Sequence, residues 1–138
     1  MEVPAAKQKI TKSEGATVQV EAAIAALMDG NFAAAITLAG VAKGMIEGDG
    51  KNVFQALLKA PGIEKTNQKE WVAVLNGERD WLKHVEKEDP RTSLEISNLD
   101  AGFMIGRAAS KLDKWSPTID EFKIWFLKVI EDQVGNPA

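Results

Sequence analysis

One short polar run combines the residue types that proton transfer and anion binding require: Arg79-Asp80-Trp81-Leu82-Lys83-His84. His84 is the only histidine in the chain, and imidazole is the side chain that changes charge nearest neutral pH. On a helix, Asp80 and His84 stand four residues apart and face each other, so the carboxylate can orient the ring or supply its proton. Arg79 and Lys83 share that spacing and set two cations on the adjoining strip. Such a group can hold an anionic substrate and move a proton, the two tasks of metal-free phosphodiester cleavage. A structural reading competes: charges at helical spacing form a solvated face, and a histidine near a helix C-terminus stabilises the dipole.

The flanking residues add weight to the run without deciding its chemistry. Glu78 precedes it, and Glu86, Lys87, Glu88 and Asp89 follow. Glu88 lies four residues from His84 and makes half a metal site, but no H-E-x-x-H or repeated E-x-x-H accompanies it, so no metal is expected. Trp81 falls off the apolar stripe that includes Trp71, Val74 and Leu82. Beside Arg and Lys, an exposed indole serves as a dimer anchor or stacking platform; the alternative is an edge of the core. The candidates are therefore Arg79, Asp80 and His84 for catalysis, and Trp81 and Lys83 for binding.

The elements that must position them read as helices. Thr11 to Glu14 has capping-box spacing, and Val20, Ala23, Ile24, Leu27 and Met28 then recur at helical intervals up to Asp29-Gly30. Asn31 caps a second helix with an apolar face of Phe32, Ala35, Ile36, Ala39, Ala42, Met45 and Ile46, and the short link implies an antiparallel hairpin. Its many small residues predict a central, tightly packed helix; a ligand cleft over Gly40 and Gly44 is the alternative. Gly48-Asp49-Gly50 reads as a turn, Asn52 to Lys59 as a short helix, and Pro61-Gly62 as its stop.

A longer helix is expected from near Asn67 to Val85, with Glu78 interrupting its apolar face and Gly77 marking a kink or a close approach. Thr92 to Ser97 alternates in part and could be extended. Ser97 or Asn98 caps a further helix burying Phe103, Ile105, Ala108, Ala109, Leu112 and Trp115. Ser116-Pro117 opens the last helix, whose stripe is Ile119, Phe122, Trp125, Phe126, Val129, Ile130 and Val134. The expected fold is all-α: residues 1–10 a flexible tail, and 11–138 one compact bundle of five or six largely antiparallel helices.

Composition narrows the function classes. The chain has 138 residues, 45% hydrophobic and 27% charged, which suits one globular domain. It has no cysteine, excluding disulfides, thiol catalysis and Cys-ligated metal centres and fitting a reducing, cytoplasmic setting. Seventeen basic residues against 20 acidic give a net charge of −3, which argues against a protein built mainly to grip nucleic acid, though a local basic site remains compatible. No secretion signal, membrane span or cofactor motif is expected.

Two resemblances extend this reading. Arg79, the polar Asp80 after it and His84 resemble the R-x4-H pattern of HEPN-type helical ribonucleases. That likeness implies RNA cutting at a dimer interface, with Arg79 stabilising the phosphate, His84 acting as general acid or base and Asp80 orienting it. Over about two-thirds of the chain, Ala33 to Ala42 together with Arg79 to Val85 and Asp89-Pro90 looks like a group of small bacterial all-helical proteins. Those carry a T-L-A-G-A-A run and an R-N-F-F-K-H-A-like segment; here Asp80 stands for the usual asparagine and Trp81-Leu82 for two aromatics. That likeness implies a fold and marks Lys83 and His84, without an activity. The reading is a binding or interaction module, a homodimer with a protein or small-molecule ligand, acting through Arg79 to His84. The alternative is a metal-independent ribonuclease, or a degenerate relative, with RNA as its partner.

Overall fold

The computed structural model describes residues 2–4, 6–47, 68–83 and 91–133. Within them are five helices and no strand: α1 (Lys12–Met28), α2 (Phe32–Met45), α3 (Gln68–Lys83), α4 (Asn98–Ala109) and α5 (Pro117–Gln133). The expected turn at Gly48-Asp49-Gly50, the short helix Asn52 to Lys59 and its Pro61-Gly62 stop lie outside the described residues. Thr92 to Ser97 carries no regular secondary structure. No described helix is long and apolar enough to cross a membrane.

Side chains at the helix ends explain where the helices begin and stop. Thr11 Oγ1 accepts from the Glu14 amide at 3.1 Å while the Thr11 amide donates to Glu14 Oε1 at 3.4 Å, closing a capping box on α1. Gly30 adopts φ +78°, which places the Asn31 amide 2.8 Å from the Ala26 carbonyl and the Gly30 amide 3.0 Å from that of Leu27. This Schellman closure satisfies carbonyls that the end of α1 would otherwise leave open. Asn31 Oδ1 then accepts from the Ala34 amide and starts α2. Of the two caps open to α4, Ser97 takes the role, in a second reciprocal box with Asp100.

α1 and α2 form the expected hairpin, and α4 packs across both; α3 rests on α2 and touches α4, while α5 closes against α1 and α4. α2, expected to be central and tightly packed, packs on α1, α3 and α4 while leaving Thr37, Val41 and Gly44 exposed; every residue of α4 from Ala101 to Ala109 is buried. The reason is topological: the other four helices all touch α4, so it has no side to give to solvent. Gly102 allows the α5 contact. A Cβ there would sit inside the Phe126 ring, and that ring also meets Phe103 edge-on with centroids 5.2 Å apart.

Two aromatic and apolar placements differ from the sequence pattern. Trp125 belongs to the predicted α5 stripe but is 38% exposed. The seam is the narrower set Ile119, Phe122, Phe126 and Ile130, and Trp125 lies along its edge against Phe122 and Phe126. Met28, in the last turn of α1, is also exposed. Trp115 is half-buried, with its Nε1 donating to the Ala109 carbonyl at 2.8 Å.

Candidate functional site

The polar run sits at the end of α3, on the helix that packs over α2 and α4. Arg79 lies across α2 at Gly40, where a Cβ would come within 2.8 Å of Arg79 Cδ and 2.9 Å of Cγ. Gly40 is therefore a place of close approach, filled by a side chain of the protein itself. Gly77 meets no described atom within 4 Å of its Cβ direction, and α3 runs through it as a continuous helix.

Arg79 and Asp80 are brought together. Asp80 Oδ1 accepts from Arg79 Nη2 at 3.0 Å and from Nε at 3.2 Å, with the two side chains 23% and 44% exposed. Trp81 is half-buried, and its Nε1 donates to the Arg91 carbonyl at 3.2 Å, tying the segment after α3 back onto it. Lys83 is the last residue of α3. His84 and the expected pairings with Asp80 and Glu88 lie outside the described residues.

Around Arg79 the fold assembles charges that periodicity did not single out. Arg107 of α4 is only 8% exposed, and its Nη1 donates to Asn76 Oδ1 of α3 at 2.8 Å. Lys111, just beyond α4, donates from Nζ to the carbonyls of Lys43 at 3.0 Å and Ile46 at 2.9 Å. It thereby places a cation on the carbonyl end of α2, where the helix dipole favours one. Lys43, in the last turn of α2, feels Arg107, Arg79 and Lys111 as repulsive neighbours and Asp80 as the attractive one. Burial first, and then those three cations, bring its pKa down from 10.5 to about 8. The Arg107 guanidinium is shifted the same way, by burial and then by Arg79.

A few ångströms of helix away lies the opposite case. Glu78 is 5% exposed and hydrogen-bonded to the Asp100 carboxyl. Burial, then that bond and the Asp100 charge, push its pKa up from 4.5 to about 8, with Arg91 opposing. Glu78 therefore holds its proton at neutral pH. Its Oε2 is buried without a hydrogen-bond partner among the described residues. Among these residues no three potential metal-ligating side chains converge.

Comparison with protein-family models, with curated proteins and with solved structures finds no significant match for this chain. The site is thus read from its own geometry. Four cations, Lys43, Arg79, Arg107 and Lys111, gather where α2, α3 and α4 meet, with Asp80 as the carboxylate acting on Lys43 among the described residues. Lys43, Arg107 and Lys111 were missed because each comes from a separate element. The available signals were an arginine inside the otherwise apolar stretch Ala101 to Ala109, and a lysine set between Ala42 and Gly44.

Proposed function

We propose that this protein is a binding module acting through the Arg79 face of α3 where it seats on α2 and α4, and that its ligand is anionic. One observation carries the reading: Lys43 has Arg79, Arg107 and Lys111 as cationic neighbours where α2, α3 and α4 meet, with Asp80, paired to Arg79, beside them among the described residues. Clustering like charges at an interface between helices costs stability, and a ligand of opposite charge offsets that cost. The test is thermal unfolding of the purified protein across sodium salts and small organic anions at matched ionic strength. Anion-specific stabilisation that Arg79→Met reduces supports the reading; equal stabilisation of both proteins by every salt refutes it.

The ribonuclease alternative draws support from the same cluster, since Arg79 among cations suits a phosphodiester. Cleavage of mixed RNA in EDTA, lost in Arg79→Ala and His84→Ala with helicity retained, would establish it. Two further expectations belong to the proposal. Exposed Ile124 and Trp125 on α5 support a homodimer, which light scattering tests, and the cysteine-free composition supports a cytoplasmic setting.

A further inference from the structure

The two sides of α5 differ in what they carry. Ile119, Phe122, Phe126 and Ile130 fill the seam against α1 and α4. Along the opposite side run Pro117, Glu121, Ile124, Trp125, Lys128 and Asp132, all of them exposed. Residues spaced by threes and fours share one stripe of a helix, so these six form a single outward face.

Such a face is ordinarily polar throughout, yet the centre of this one is apolar. Ile124 is 65% exposed, the most of any large apolar side chain on the described helices. Trp125 is propped along the edge of the seam, its ring 6.2 Å from those of Phe122 and Phe126. An indole already held in this way loses little freedom on binding, and tryptophan is enriched among the anchors of interfaces.

The flanking residues indicate what covers the pair. Counted outward from the point between Ile124 and Trp125, Glu121 and Lys128 stand equally far on opposite sides, as do Pro117 and Asp132. When a copy of the face is turned end over end and laid on the original, each Glu121 meets a Lys128 and each Ile124 a Trp125. Each Asp132 then meets the first turn of the other helix, where the dipole favours an anion. Neither Glu121 nor Lys128 has an ion-pair partner among the described residues, and Lys123, the other lysine of α5, lies over the Trp115 ring. A parallel arrangement would instead set Glu121 on Glu121 and Lys128 on Lys128. The face is complementary to itself in one orientation, which is what an isologous two-fold contact requires.

We propose that the outward face of α5 docks on the same face of a second copy, the two helices antiparallel about a two-fold axis between Ile124 and Trp125. This deepens the homodimer expectation and rests on it. One pair of 17-residue helices covers less than the roughly 800 Å² per partner of a standard interface, so the dimer exchanges with monomer at micromolar concentrations.

Sedimentation velocity of the full chain over a concentration series is the test. Ile124→Lys, at an exposed position, should leave helicity by circular dichroism unchanged and weaken dimerisation about 30-fold or more. Glu121→Lys and Lys128→Glu should each weaken it about 10-fold, since each sets like charges opposite one another twice, and the double variant should return to within a few-fold of the original affinity. The two residues stand two turns apart on one helix, too far to pair within it, so that recovery reports contact between copies. A dimer that Ile124→Lys leaves intact overturns this surface while the homodimer stands. A dimer that Ile124→Lys disrupts and the double variant fails to recover overturns the antiparallel order. A monomer at every concentration overturns both and leaves the face to a different protein.

Discussion

The two like-charge groupings beneath α3 meet one electrostatic problem and resolve it differently. Glu78 and Asp100 bring two carboxyls together in a buried contact. Lys43, Arg79, Arg107 and Lys111 bring four cations together a short way along the same helix interface. A carboxyl pair can relax by keeping one proton, because burial raises the pKa through the neutral range. A guanidinium has no such route, since it stays charged at any pH a protein tolerates. Lys43 yields in part. The acidic pair can therefore settle its own charge with a proton, while the two arginines of the cationic group stay charged.

The largest expected effect breaks the acidic side. Asp100→Ala removes the partner of Glu78 and half of the capping box at Ser97. Urea unfolding near pH 7 should show a loss of about 2–3 kcal/mol. Asp100→Asn should lose far less, because an amide can still accept from protonated Glu78; equal losses would mean that the carboxyl pair does not hold α3.

A second contrast appears in the pH profile. The folded pKa of Glu78, about 8, lies above its ordinary 4.5, so its stabilising contribution is complete below the lower value and is lost as pH rises through the upper one. Lys43 is shifted the opposite way, from 10.5 to about 8, so its penalty is fully present below about 8 and relieved between there and 10.5. Stability should fall from mildly acidic pH towards 8 and recover above it. Glu78→Gln should flatten the first limb and Lys43→Met the second. A profile rising steadily from pH 5 to 8 would show that Glu78 does not retain its proton.

The smallest effect sharpens the cationic side. Gly44 meets nothing described within 4 Å of its Cβ direction, whereas Gly40 is crossed by Arg79. Gly44→Ala should raise stability by about 0.5–1 kcal/mol through helix propensity. Gly40→Ala makes the same gain but must push the Arg79 stem aside, so its net change should be near zero.

How much of this was readable depended on the range of the signal. Helix starts and stops were legible because capping is local chemistry: Thr11 with Glu14, Gly30, Asn31, Ser97 and Pro117 each act within a few residues. Glu78 was also visible as a break in an apolar face, although its partner Asp100 was not, because it comes from a different helix. The Arg79–Asp80 pair was legible because the two are adjacent. Their companions Lys43, Arg107 and Lys111 meet them only through the packing of α3 on α2 and α4, which no periodicity encodes. Trp125 shows the converse error: a stripe drawn from helical spacing was wider than the seam that α5 uses.

The Gly102–Phe126 contact constrains how this architecture can drift over evolutionary time. The ring occupies the volume that any side chain at position 102 would require, so the two positions share a single allotment of space. A larger residue at 102 is admissible only with a smaller one at 126. A larger residue at 102 alone would wedge α5 away from α4, and a smaller one at 126 alone would leave a void between them. Relatives that keep the α4–α5 spacing should therefore vary at these two positions together, as a covarying pair.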